Sequence, residues 1–276
     1  MRRALPLLVR RWQVTALVRT WDAGLRAQGV RQIRGDLDQP ATLRRLAGIA
    51  QAVLHSAPPP AVGENDPRTR RLLAVLASAQ SLPRRLVYIS TSGVYGNRRG
   101  ARVAETCPPA ATTGRARRRV AAERLLRAAG RRGLRVSILR APGIYAADRL
   151  PLERLRRGDP VLLRDEDAFT NHIHAEDLAA ACCCALERGR PNRIYNISDD
   201  SELRMGDWFD KLADAFHLPR PPRISRMEAE QRLPPLLLTF MNESRRLDNT
   251  RMKRELKLKL RYASVDDGIA AALRSR

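Results

Sequence analysis

The chain has 276 residues, 43% of them hydrophobic, enough for one large domain or a domain plus a lobe. No apolar run approaches the ~18–20 residues that span a bilayer, and the start, Met1-Arg2-Arg3-Ala4-Leu5-Pro6-Leu7-Leu8-Val9-Arg10-Arg11, is a poor signal peptide because two arginines close its short apolar stretch. The net charge of +23 does not mark a nucleic-acid binder: aromatics are only 4%, and apart from Lys211, Lys253, Lys257 and Lys259 the basic residues are arginines spread along the whole chain, as a GC-rich coding bias would leave them.

Residues 2–11 read as a helix, with Leu5, Leu8 and Val9 on one face. Val14-Thr15-Ala16-Leu17-Val18 is a short strand, followed by a helix at 21–28. A second strand covers Val30 to Arg34, a helix 40–48, and a third strand Ala52-Val53-Leu54-His55. A helix at 67–80 leads to a fourth strand, Leu86 to Ser90. A long helix over about 115–130 leads to a fifth, Val136-Ser137-Ile138-Leu139. Short apolar strands alternating with helices mean βαβ units and a parallel sheet covered on both faces. The expected fold is α/β, a Rossmann-like doubly wound sheet. His172 and His174, two apart in an extended segment, are expected to point to opposite faces and to share no metal. Cys182-Cys183-Cys184 reads as filler in a helix, since neighbours there point about 100° apart. With Cys107 as the fourth cysteine and no CxxC spacing, no disulfide framework is implied, which suits a reducing cytoplasm. Two short helices are expected near 205–216 and 226–232, and another at 251–256.

Ligands of such sheets bind at the carboxyl ends of the strands. The segments there are Arg19-Thr20, Asp36-Leu37, Ser56-Ala57-Pro58, Thr91-Ser92 and Ala141-Pro142-Gly143. Ile89-Ser90-Thr91-Ser92-Gly93-Val94-Tyr95-Gly96-Asn97 resembles the serine/threonine segment of the extended short-chain dehydrogenases/reductases, the NAD-dependent epimerase/dehydratase-like family. Gly35-Asp36-Leu37, Leu139 to Tyr145, Asn171 to Ala179 and Tyr195-Asn196-Ile197-Ser198 resemble further segments of that family, in its order. The resemblance implies an NAD(P)-binding domain over 1–198 and a small C-terminal substrate lobe over 199–276. It implies that Arg19 meets the adenosine ribose, where a basic residue favours NADP over NAD. It implies that Asp36 and Leu37 flank the adenine, that Ser56, Ala57 and Pro58 line the middle of the cofactor, and that Pro142 and Gly143 back the nicotinamide. Thr91, or alternatively Ser92, would hydrogen-bond an unknown small-molecule substrate; a strand-end hydroxyl bonding its own backbone is the competing reading. Arg245 and Arg246 would meet an anionic substrate or lie in a solvated turn. Members often pair through two helices, so a homodimer is expected.

The sequence departs from the family twice. No G-x-x-G-x-x-G stands near the start, and glycines are what let backbone approach a pyrophosphate. The first, central strand would also be missing, between the strands at 14–18 and 52–55, leaving a gap of about 9–10 Å. The expectation is that Met1 is internal to a longer chain and that cofactor binding depends on the upstream residues. The second departure lies in the helix after the Ser/Thr segment. Anchoring on Ala121-Ala122-Glu123 puts Arg115 where the family has its proton-transfer tyrosine and Arg119 where it has the lysine. Arginine stays protonated and is a poor acid or base, so the usual mechanism is not expected, although Arg119 could still hold a ribose or phosphate. The functional expectation is an NAD(P)-binding epimerase/dehydratase-like or reductase-like protein, with a non-catalytic dinucleotide-sensing or scaffold protein as the alternative.

Overall fold

The computed structural model describes residues 2–275. A 3-10 turn, Arg2–Ala4, runs into the short helix α1 (Leu5–Leu8). Then come β1 (Thr15–Val18), α2 (Ala23–Ala27), β2 (Arg31–Arg34), a 3-10 segment Pro40–Leu46, β3 (Ala52–His55), α3 (Pro67–Ala77) and β4 (Arg85–Thr91). The middle of the chain gives β5 (Arg102–Val103), α4 (Gly114–Arg131), β6 (Arg135–Ala141), β7 (Gly143–Tyr145), α5 (Leu152–Arg156), β8 (Val161–Leu162), β9 (Phe169–Thr170), β10 (His172–His174) and α6 (Ala175–Arg188). The last third gives β11 (Arg193–Asn196), β12 (Leu203–Arg204), α7 (Met205–Ala215), β13 (Arg223–Ile224), α8 (Arg226–Arg232), α9 (Pro235–Met241), β14 (Arg246–Leu247), α10 (Thr250–Glu255) and α11 (Val265–Arg274).

The main sheet is parallel, with strands in the order β11-β6-β4-β3. Its central strands are apolar on both faces because both faces are covered. On one face Val87, Leu139 and Tyr195 pack with Ala4 and Leu8 of the first turns and with Ala181, Cys182 and Ala185 of α6. On the other face Leu86, Tyr88, Val136 and Ile138 pack with Leu72 and Leu76 of α3 and Ala122 and Leu126 of α4. This two-sided covering is the doubly wound arrangement. The cysteine run serves as helix filler, with Cys182 fully buried.

β1 pairs with β2 in parallel, and among the described residues neither strand hydrogen-bonds to the main sheet. Both apolar layers nevertheless continue across the break. Val14 and Leu54 pack against one cluster, and Leu17 and Val53 against the other. β1 and β3 are only half-buried along most of their length, unlike β4 and β6. Two local expectations need correction. The first helix stops at Leu8 rather than running to residue 11, and residues 40–46 wind as a 3-10 helix. In the second case Thr42 Oγ1 bonds Gln39 O and Asp36 N, satisfying groups that a longer helix or its cap would otherwise use.

A separate apolar cluster gathers Trp208, Phe209 and Leu212 of α7, Val265 and Ile269 of α11, and Leu152 and Leu155 of α5. Tyr145, Val161 and Leu162 join it, so segments before residue 198 help to build this second core. Three short pairings, β7–β10, β9–β12 and β5–β14, tie it to the carboxyl edge of the main sheet.

Candidate functional site

Parallel register puts Ser90, Arg140 and Asn196 side by side across β4, β6 and β11, one residue before the end of β4 and β6 and at the end of β11. An arginine in the middle of an apolar sheet must be paired. Arg140 is 1% exposed and donates through Nε and Nη2 to Glu123 of α4, at 3.1 and 2.6 Å. Ser90 Oγ donates to the same carboxylate at 2.6 Å. The guanidinium carbon lies 4.6 Å from the centre of the Tyr95 ring, and the Tyr95 hydroxyl donates to Asn196 Oδ1 at 2.7 Å. Burial raises the Tyr95 phenol, so it stays protonated. This buried row forms the floor of the carboxyl edge and fixes α4 against it.

Thr91 ends β4 and caps a 3-10 turn, Ser92–Tyr95, its Oγ1 accepting from Gly93 N at 3.2 Å. Ser92 is buried beside it. Arg115 lies exposed in the first turn of α4. Arg119 is half-buried and turned onto β4: its Nη1 donates to Ile89 O at 2.7 Å and to the Tyr88 hydroxyl at 2.9 Å. Burial pushes the Tyr88 phenol up to about 12, and Tyr145 is also raised, by burial first and then by Asp199. Neither phenol exchanges a proton readily near neutral pH.

On the other side of the break, Arg19 stands exposed at the end of β1. Asp36 follows β2 and accepts from Asp38 N through Oδ1, and Leu37 is buried in the core below. Arg68 of α3 clamps two of these loops, donating to Asp38 and to Pro58 O, which holds the Ser56-Ala57-Pro58 turn beside the Asp36-Leu37 turn. Ala57 packs on the core, whereas Pro58 is exposed. Pro142 is half-buried and Gly143 exposed, and Gly143 N donates to Asn171 O at 3.1 Å. Arg19, Asp36 and Ser56 thus follow β1, β2 and β3, Thr91 ends β4, and Pro142 and Gly143 follow β6, with Arg68 joining the loops after β2 and β3. Loops of this kind suit the two ends of a dinucleotide. Among the described residues no glycine precedes Gly24, so the backbone cradle for its pyrophosphate is not among them.

His172 and His174 do not point to opposite faces: two apart on β10 they share one side, and the Tyr145 ring lies edge-on to both, with centres 6.2 and 5.3 Å away. His172 is buried against Trp208, ring centres 4.6 Å apart, and burial pushes its imidazole down to about 3. His174 caps α6 through Nδ1 and stacks on Tyr262. Asp177 accepts from Arg261 N and Tyr262 N, so it anchors the last segment of the chain. Arg245 is not in a solvated turn: it is 8% exposed and donates to Gly96 O at 2.8 Å and to Glu243 at 3.0 Å. Arg246 donates to Gly100 O and lies over Phe169. A cavity of about 520 Å³ opens beside them, lined by Asn97, Arg99, Phe169, Arg204, Asn242 and Ser244. Sequence reasoning missed Arg68, Arg140, Glu123 and Glu243. Only Arg140 carried a signal, a lone charge inside an apolar strand.

The sequence pattern of the NAD-dependent epimerase/dehydratase family matches residues 6–198, well over half the chain. The chain belongs to that family. Its relatives in the family are of the extended short-chain dehydrogenase/reductase type. A trifunctional UDP-glucose 4,6-dehydratase/UDP-4-keto-6-deoxy-D-glucose 3,5-epimerase/UDP-4-keto-L-rhamnose-reductase of Arabidopsis thaliana is 26% identical over 163 residues, 52% of this chain and 24% of that protein. The chain therefore spans only about a quarter of the length of this curated relative. A conserved protein of unknown function from Silicibacter pomeroyi superposes with a TM-score of 0.83 at 28% identity, covering 99% of this chain and 94% of the other. A dTDP-glucose 4,6-dehydratase double mutant from Streptomyces venezuelae, with NAD and DAU bound, superposes with a TM-score of 0.74 at 23% identity, covering 95% and 86%. At that identity the likeness speaks for the fold alone. No described helix is long and apolar enough to cross a membrane.

Proposed function

We propose that the chain is an NAD(P)-binding epimerase/dehydratase-like or reductase-like protein that acts on a small molecule without the usual tyrosine–lysine pair. The observation that carries this reading is that Arg19, Asp36, Ser56 and Thr91 stand at the carboxyl ends of β1 to β4, with Arg68 drawing the loops after β2 and β3 together. A bound nicotinamide cofactor would supply hydride chemistry. Arg19, Asp36 and Leu37 would hold its adenosine end, Ser56, Ala57 and Pro58 its middle, and Pro142 and Gly143 its nicotinamide side. The exposed Arg19 supports NADP over NAD, because a guanidinium matches a ribose phosphate. Arg119 stays with Ile89 O and Tyr88 and carries no proton in the reaction. The same reading has the protein cytoplasmic and paired as a homodimer.

Calorimetry with NADPH and NADH tests the proposal. NADPH is expected to bind more tightly, and Arg19→Glu to reverse the preference. Absence of binding by either nucleotide refutes the reading. The second reading, a dinucleotide sensor or scaffold without turnover, is favoured by the tying of Arg119 to β4. Consumption of NADPH with any carbonyl substrate would exclude it.

A further inference from the structure

The C-terminal lobe sends a charged pair back to the Thr91 turn. Residues 243–247 are clamped on two sides. Arg98 N and Gly100 N both donate to Ser244 O, and Asn171 bonds Arg245 O and Leu247 N. This clamp sets Glu243 against Gly93. A Cβ added to Gly93 would stand 3.6 Å from Thr91 Oγ1 and 3.8 Å from Glu243 Oε2. The lone hydrogen of Gly93 therefore leaves a space flanked by a hydroxyl and a carboxylate.

Each group has spare capacity. Thr91 Oγ1 accepts from Gly93 N, which leaves its proton free to be donated. Glu243 Oε2 accepts from Arg245, and Oε1 makes no hydrogen bond among the described residues. The Glu243 side chain is 13% exposed, open to solvent on one side but not freely solvated. Arg245 Nε is a buried donor with no partner, although the residue is more than nine-tenths buried. An unsatisfied guanidinium nitrogen beside a half-used carboxylate marks a place for an oxygen-bearing ligand.

We propose that Glu243 is the proton-transfer group of this site, held in place by Arg245, and that Thr91 holds the substrate oxygen. This rests on the reading of the site as one for a small-molecule substrate, and it names that substrate's class: a ketone with a hydrogen on the neighbouring carbon, as in keto sugars. The Glu243 carboxylate takes the proton from that carbon. The C–H electron pair becomes the new C=C bond, and the carbonyl π pair moves onto oxygen, giving an enolate that accepts the Thr91 hydroxyl. Return of the proton from the Glu243 carboxylic acid to carbon restores the ketone. No oxidant or reductant is consumed, and the step does without the phenol and amine that Arg115 and Arg119 displace.

The test is deuterium wash-in from D2O into UDP-4-keto-6-deoxy-D-glucose, followed by proton NMR, with no nicotinamide cofactor added. Wild-type protein is expected to exchange the hydrogens next to the carbonyl faster than buffer does. Glu243→Gln is expected to lose about 100-fold or more, the usual worth of a positioned acid–base group. Glu243→Asp should retain part of the activity, and Thr91→Val should slow exchange by about tenfold or more, as loss of one oxygen-holding donor does. Thermal melts of each variant separate loss of chemistry from loss of fold. Wild-type exchange no faster than buffer, or Glu243→Gln exchanging like wild type, overturns the proposal. Because wash-in needs no cofactor, a failure to bind NAD(P) and a failure of Glu243 are read separately.

Discussion

Replacing Arg140 by methionine should be among the most destabilising single changes in this chain. Arg140 and Glu123 are both buried, and the substitution strips the carboxylate of two charge-assisted hydrogen bonds, leaving only Ser90 Oγ. Removing one partner of a buried pair typically costs about 3–5 kcal/mol, because the other charge is left uncompensated. Glu123→Leu should cost a similar amount, since Arg140 would keep only the face of Tyr95. The double variant Arg140→Met/Glu123→Leu removes both charges and should recover most of the loss. Ser90→Ala, which deletes a single hydrogen bond to a charged group, should cost about 1.5–3 kcal/mol. Urea titration followed by circular dichroism gives the four values from midpoints at constant slope. Single variants within about 1 kcal/mol of wild type would refute this account of the sheet floor. So would a double variant no better than the sum of its parts.

Asp199 is buried, and burial pushes its carboxyl up to about 8. Its folded value lies above an unfolded value of about 3.9, so the folded state holds the extra proton and stability should fall as pH rises from about 4 to 8. Asp199→Asn should flatten that slope, worth on the order of 2–4 kcal/mol between pH 5 and 8, in urea titrations at the two pH values. An unchanged slope would count against it. His172 works in the other direction: its pKa is depressed to about 3, so stability should drop as pH falls below about 6.5, and His172→Gln should weaken that acid-side loss. Gly268→Ala would put a methyl group 2.4 to 2.8 Å from atoms of the Tyr145 ring and hydroxyl, so it should cost about 1–3 kcal/mol. Adding Tyr145→Leu should relieve part of that clash, and purely additive losses in a thermal melt would argue against this packing.

The main strands were legible because four- to seven-residue apolar runs between helices admit little else, and the β4 and β6 runs fall at the centre of the sheet. The helix carrying Cys182 to Cys184 was legible for a similar reason, since small residues there fill a tight contact with the sheet. The short strands β5, β8, β13 and β14 were not, because two residues have no periodicity and are strands only by virtue of distant partners. The floor of the site was half-legible: Arg140 is a charge inside an apolar run, but nothing local says that its partner is Glu123. The segment around Arg245 and Arg246 was legible as one near the substrate lobe, but nothing in the sequence singled out Glu243 within it. Its position depends on bonds from Ser244 and Arg245 to residues near 97 to 100 and 171, far away along the chain.

The detached pair β1–β2 gives the molecule two different depths of protection. It is secured to the rest by the side-chain bonds of Arg68 and Arg71 to Asp38 and Leu37 O, by the ion pair of Arg2 with Asp22, and by apolar contacts through Leu17 and Leu37. Among the described residues it shares no ladder with the larger sheet. Segments with few buried contacts and solvent-open backbone bonds open locally, without waiting for global unfolding. Amide protons of Leu17, Ile33 and Arg34 should therefore exchange with deuterium well before those of Val87, Ile138 and Leu139. The arm that carries Arg19 and Asp36 would then be ordered or loosened as a unit, and a ligand bridging it to the Thr91 edge would register as slowed exchange across both strands.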